Sequence, residues 1–119
     1  MTEEKKSVLH VCSREIIIDL RDKILQLQGY EAVSTLSLAD ALELFQQRPF
    51  DLVLVDVEGQ GRVPLAEQFC EEIRAIHAGQ KVAFVCNYFV SIESDCPDEI
   101  IQAEFNPVAF VAGVKQMLG

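Results

Sequence analysis

The sequence predicts an α/β domain, an open parallel sheet of five strands with helices on both faces, spanning residues 1–119 as one unit. Three observations predict it. Short runs rich in apolar residues, Val8–Cys12, Leu52–Val55 and Lys81–Cys86, the second of them unbroken, suit strands covered on both faces. Stretches with helical spacing lie between them, and alternation of this kind implies parallel strands with right-handed crossovers. The length of 119 residues, 50% hydrophobic and 24% charged, fits one domain with one core.

Val8–Cys12 reads as the first strand. Ser13 can cap the helix that follows, with Glu15 in its first turn. Ile17, Leu20, Ile24 and Leu27 recur at helical spacing and predict its inward face, and Gly29 suits the position just past its end. Tyr30–Thr35 is a short second strand. Ser37 and Asp40 match a capping pattern for a second helix lined by Leu38, Ala41, Leu42 and Phe45. Arg48-Pro49 ends that helix, because the residue before proline resists helical geometry.

The third strand, Leu52–Val55, closes on Asp56, and Glu58, Gly59, Gln60 and Gly61 turn the chain away. In open parallel sheets the carboxyl ends of the strands form the functional crevice. Asp56 is therefore the leading candidate site residue. Pro64 suits the first turn of a third helix with Leu65, Phe69, Ile73 and Ile76 as its stripe and Gly79 as its stop. After the fourth strand, Asn87–Asp98 is polar, lacks helical period and contains Pro97. Glu99–Ala103 is a weak fifth strand. Asn106-Pro107 opens a last helix facing inward with Phe110, Val111, Val114 and Leu118.

A formal net charge of -9 disfavours nucleic acid and anionic lipid as partners and favours basic protein surfaces. No apolar run is long enough to span a bilayer, and the first residues carry no signal-peptide pattern, so a cytoplasmic location is expected. Cys12, Cys70, Cys86 and Cys96 form no CxxC pair and read as free thiols.

Three segments carry a resemblance: VLHV with the helix ending in LQGYEAV, the run LADALELFQQRPFDLVLVD, and EFNP at the last helix. With these the chain resembles the receiver domain of response regulators in two-component (phosphorelay) signal transduction. The resemblance implies a three-layer flavodoxin-like (CheY-like) fold, strand order 2-1-3-4-5. It implies that Asp56 occupies the phosphoacceptor position and that a histidine kinase or another signalling protein is the partner, with a weak homodimer as a further expectation. The chain ends with the last helix, so no output domain is expected after it.

The resemblance also places the family's other site residues, and the sequence departs at each. The acidic pair that holds Mg²⁺ falls on Cys12 and Ser13, the Ser/Thr position on Cys86, and the Lys position on Ala103 with Glu104 beside it. The aromatic switch position is Ile100, and Gly59-Gln60 follows Glu58 where Met-Pro is common. Cysteine is a soft ligand that does not suit Mg²⁺, so Mg²⁺ binding is expected to be weak or absent and no cofactor is expected. Two unit charges about 4 Å apart interact by roughly 4 kcal/mol at an effective dielectric near 20. Losing the lysine alone could slow phosphoryl transfer roughly a thousandfold. The interval between Cys86 and Ala103 is short, so the family's fourth helix is expected to be shortened, irregular or replaced by loop.

The expectation is thus a non-enzymatic interaction module with impaired Mg²⁺-dependent phosphorylation. Two alternatives stand beside it: a functional phosphoacceptor using Asp56, and a small redox or ligand-binding protein using Cys12 and Cys86. Those two cysteines flank the strand of Asp56, which makes a zinc site conceivable. With a strand of about 4.8 Å spacing between them, they lie beyond disulfide reach. His10 is read as a hydrogen-bonded core or edge histidine, and Tyr88-Phe89-Val90 as core in preference to an exposed patch.

Overall fold

Five strands form one parallel sheet in the order β2-β1-β3-β4-β5, as expected. The computed structural model describes residues 5–103 and 107–118. The strands are β1 (Ser7–Val11), β2 (Glu31–Thr35), β3 (Leu52–Asp56), β4 (Val82–Cys86) and β5 (Glu99–Gln102). The helices are α1 (Glu15–Leu27), α2 (Leu38–Gln47), α3 (Val63–Ile76) and α4 (Pro107–Leu118), with a 3-10 turn at Gln60–Arg62. No helix among the described residues is long and apolar enough to cross a membrane.

The period-two alternation of the strands splits the core in two. Leu9, Val11, Val53, Val55, Phe84 and Cys86 pack under α2 and α3 with Phe45, Phe69 and Ile73. Val8, Leu52, Leu54, Ala83, Val85 and Ile101 pack under α1 and α4 with Leu25, Phe110 and Val114. The second layer is tight. A Cβ on Gly113 would lie 2.7 Å from Ile101 Cγ1 and Cδ1, so glycine lets α4 approach β5.

Several local signals act as expected. Gly29 has φ 89, and the Tyr30 and Gly29 N–H groups donate to the Leu25 and Gln26 carbonyls, closing α1 with a Schellman motif. Ser37 Oγ accepts from the Asp40 N–H at 3.1 Å. Arg48 caps α2 in extended geometry.

Other expectations are corrected. Ser13 does not cap α1: Arg14 holds that position without a side-chain bond, because the Ser13 hydroxyl donates elsewhere. The inward face of α1 is centred on Arg21 and Leu25, whereas Leu20 and Leu27 are exposed. On α3, Val63, Ala66, Phe69, Cys70 and Ile73 are buried, while Leu65 and Ile76 are about half exposed. That helix stops at Ile76, ahead of Gly79, with His77 as its extended C-cap, and Arg74 Nη1 reaches past the end to the Gln80 carbonyl at 2.9 Å.

Residues 87–98 form no helix. Asn87 Oδ1 accepts from the Phe89 N–H at 2.9 Å, a side-chain turn that competes with helix formation. The Gln60 side chain then braces the loop, donating to the Ser91 carbonyl and accepting from its N–H, both at 2.8 Å. Val90 is buried, but Tyr88 and Phe89 are exposed, contrary to the core reading. Glu104, Phe105 and Asn106, including most of the EFNP segment, lie outside the described residues.

Candidate functional site

Asp56 stands at the carboxyl end of β3, between neighbours β1 and β4. Its side chain shares the α1 face of the sheet with that of His10, two residues before Cys12 on the adjacent strand. The carboxylate is engaged on both oxygens. His10 Nε2 lies 2.6 Å from Oδ2, and Arg21 Nη1 lies 2.9 Å from Oδ1 and 3.0 Å from Oδ2. An ionised carboxylate only accepts, so the His10 Nε2 carries the proton of that bond. His10 Nδ1 is buried without a partner. The Arg21 guanidinium also lies over the Phe110 ring, 4.9 Å from its centroid.

Cys12 and Ser13 form a separate cluster with Glu58. Cys12 Sγ donates to Glu58 Oε1 at 3.0 Å, the Ser13 N–H donates to the same oxygen at 3.0 Å, and the Ser13 hydroxyl donates to Oε2. Burial tends to raise the Glu58 pKa, but these bonds and the nearby Arg14 charge outweigh it and hold the carboxyl below its usual range. Burial, with the Asp56 charge and the Glu58 bond, pushes the Cys12 thiol up to about 12. Burial and Asp56 likewise raise Cys86. Raised thiols stay protonated at neutral pH, the opposite of what nucleophilic cysteine chemistry requires.

Two clefts flank Asp56. One of about 220 Å³ lies toward α2 and α3 and includes Ser37, Glu58 and Arg62. The other, about 380 Å³, lies toward α1 and the 87–98 loop and includes Arg14, Arg21, Cys86, Phe89 and Ala103. All the expected pocket positions therefore gather around Asp56. Ala103 is buried and supplies no charge.

The pocket keeps a cation despite the missing lysine, because Arg21 arrives from α1, and Glu58 adds a second carboxylate that borders both clefts. Among the described residues the group with metal-ligand character is His10, Cys12 and Asp56, whose donor atoms lie within 4.8 Å of one another, and not Cys12, Asp56 and Cys86. Cys86 packs instead into the core under α2 and α3. Arg21 went unseen because a lone arginine in a helix reads as solvated. Its signal was position, four residues from both Ile17 and Leu25 on one face.

No family model and no curated protein matches the sequence. Solved structures do. A CheY-like response regulator receiver domain from Methanospirillum hungatei superposes with a TM-score of 0.82 at 24% identity, covering 97% of this chain and 94% of that one. The response regulator TrrA of Thermotoga maritima, in complex with Mg²⁺ and BeF, gives 0.81 at 28% identity over 94% of this chain and 98% of that one. In its complex with the histidine kinase ThkA, TrrA gives 0.80 at 27% identity, covering 96% and 99%.

Proposed function

From the premise that the chain is a CheY-like receiver domain of the response-regulator type, we propose that it works as a protein-interaction module whose central aspartate is locked in an internal ion pair. The observation that carries this reading is the grip of Arg21 and His10 on both oxygens of Asp56. An acyl phosphate on Asp56 would convert one of those oxygens into the bridging anhydride oxygen and move the negative charge from the carboxylate that Arg21 grips to the phosphoryl oxygens. Contacts that stabilise the ground-state carboxylate raise the barrier to transfer instead of lowering it. Mg²⁺ finds weak support as well, since Glu58 is committed to Cys12 and Ser13. The domain catalyses no reaction in this reading.

The interaction surface that fits is the outer face of α1. Ile16, Leu20 and Leu27 share one side of that helix and are 77%, 51% and 83% exposed, with Val108 of α4 at 73%. TrrA is seen with a histidine kinase, which supports a histidine kinase or another signalling protein as the partner. Incubation with acetyl phosphate and Mg²⁺, read by intact mass, tests the proposal. An unmodified protein is expected, and stoichiometric phosphorylation at Asp56 would overturn it.

One observation favours a second reading, in which Asp56 is a working phosphoacceptor. Asp56 borders both clefts and is reachable from each. Arg21 would then have to leave the carboxylate and follow the phosphoryl oxygens, and Asp56→Asn would abolish signalling. Under the first reading Asp56→Asn leaves partner binding intact.

A further inference from the structure

Three donor groups of different chemistry meet at the carboxyl ends of β1 and β3. His10 lies on β1 and Cys12 just past its end, two positions apart and so on one face of the sheet. Asp56 closes the neighbouring strand one step past the Val11–Val55 pair. One imidazole nitrogen, one sulfur and one carboxylate oxygen of these residues lie within 4.8 Å of one another. A proton bridges each of two contacts there: His10 Nε2 donates to Asp56 Oδ2 at 2.6 Å, and Cys12 Sγ donates to Glu58 Oε1 at 3.0 Å. His10 is fully buried, and among the described residues nothing partners its Nδ1, so no second hydrogen bond fixes which ring nitrogen holds the proton. Nitrogen, sulfur and oxygen donors in one cluster suit zinc, whereas Mg²⁺ takes oxygen.

We propose that His10 Nε2, Cys12 Sγ and a carboxylate oxygen of Asp56 form a zinc site that ties β1 to β3. The ion takes the places of the two bridging protons. The Cys12 proton leaves to solvent, and the neutral His10 ring keeps its one proton on Nδ1 while Nε2 gives its lone pair to the metal. Zinc bonds of about 2.3 Å to sulfur and about 2.0–2.2 Å to nitrogen and oxygen set tetrahedral donors roughly 3.3–3.7 Å apart. Donors already within 4.8 Å reach that spacing with side-chain shifts of about 1 Å. Glu58 Oε1, 3.0 Å from Cys12 Sγ, stands ready as a fourth donor. Arg21 keeps its 2.9 Å contact to Asp56 Oδ1 when the metal takes Oδ2.

The raised Cys12 thiol is compatible with a metal. Burial, then the Asp56 charge and the Glu58 bond, hold its proton in place. A divalent cation between those groups reverses the two electrostatic causes, and a coordinating thiol is deprotonated outright. The charges then balance, with zinc and the Arg21 guanidinium facing the carboxylates of Asp56 and Glu58 and the Cys12 thiolate. The cost of burial remains and sets the affinity on the order of micromolar, weaker than that of structural four-ligand zinc sites. The ion has a route in, because Cys12, Asp56 and Glu58 all line the cleft of about 380 Å³. The site goes beyond the reading of Asp56 as an ion-paired group and does not depend on it, since His10 and Cys12 supply the donors that set zinc apart from Mg²⁺.

The test is titration of the reduced native protein with Zn²⁺ and, as a coloured probe, Co²⁺. One equivalent of Zn²⁺ should bind with a Kd on the order of micromolar, measured by competition with a chromophoric chelator. Co²⁺ should give a tetrahedral absorption spectrum with a sulfur-to-cobalt charge-transfer band that Zn²⁺ abolishes. In ring ¹⁵N NMR of the native protein, one equivalent of Zn²⁺ should shift the Nε2 resonance of His10 and leave that of His77, the other histidine, in place. Cys12→Ser should lose the band and more than about tenfold in affinity, and Cys86→Ala should keep both. The proposal is overturned if no ion is retained at micromolar concentration, if Co²⁺ binds without the charge-transfer band, or if Zn²⁺ shifts His77 and not His10. It is equally overturned if the band survives in Cys12→Ser or disappears in folded Cys86→Ala.

Discussion

Arg21 and Asp56, 35 positions apart, form a buried ion pair in which one guanidinium nitrogen lies within 3.0 Å of both carboxylate oxygens. Their side chains are 10% and 8% exposed. Such pairs repay their desolvation only when geometry and extra hydrogen bonds are good, and here His10 supplies one of those bonds. The pair is the physical basis for reading Asp56 as an occupied group.

Removing one partner should therefore be expensive. Arg21→Met leaves the Asp56 charge buried with His10 alone, and Asp56→Asn leaves the Arg21 charge without its counterpart. Each should lose about 3 kcal/mol in urea unfolding, while the double substitution Arg21→Met with Asp56→Leu should recover most of that loss. Equal, additive losses of a few tenths would mean that the pair is solvent-screened and holds nothing.

Gly113 should not tolerate a methyl group. Alanine is favoured over glycine in a helix by about 1 kcal/mol, yet its Cβ would meet the Ile101 side chain at 2.7 Å. Gly113→Ala should destabilise by about 1–3 kcal/mol through overpacking of α4 against β5. Adding Ile101→Val should relieve part of the loss, which thermal unfolding of the single and double variants can measure.

The Cys12 thiol gives a pH signature. Its folded pKa, about 12, lies above the ordinary 9.0 of the unfolded chain. The folded state thus favours the protonated thiol, and this contribution is fully present below pH 9 and lost as pH rises toward 12. Cys12→Ala should flatten that part of the stability profile. At pH 8, iodoacetamide should modify Cys96 well before Cys12 in the native protein. Rapid alkylation of Cys12 would contradict the burial argument.

The outer face of α1 should separate binding from stability. Leu20→Glu and Leu27→Glu alter exposed positions and should leave unfolding within about 0.5 kcal/mol of the parent. In the proposed reading the same changes weaken association with the partner protein at least tenfold. Unchanged affinity would move the interface elsewhere.

Much of the fold was legible because its signals are local. Gly29, Ser37 and Arg48-Pro49 act through the backbone next to them, and the apolar runs of β1, β3 and β4 are buried wherever the sheet forms. The position of Asp56 was legible for the same reason, as the carboxylate ending a strand. Its partners were not. His10 and Arg21 reach Asp56 across β1–β3 pairing and helix packing, which residue spacing does not encode. The inner stripe of α1 was misplaced because Arg21 occupies its centre, so the apolar residues Leu20 and Leu27 were assigned inward. Ser13 has the chemistry of a helix cap, but Glu58, distant in sequence, claims its hydroxyl.

The locked state of Asp56 is tested most directly by its own side-chain carboxyl carbon. The ¹³C chemical shift of that carbon is followed by NMR as Mg²⁺ and then beryllofluoride are added to the native protein. The account predicts no saturable shift with either addition, with Arg21 and His10 keeping their hold. A saturating shift at Asp56, with release of the Arg21 side chain, would contradict it.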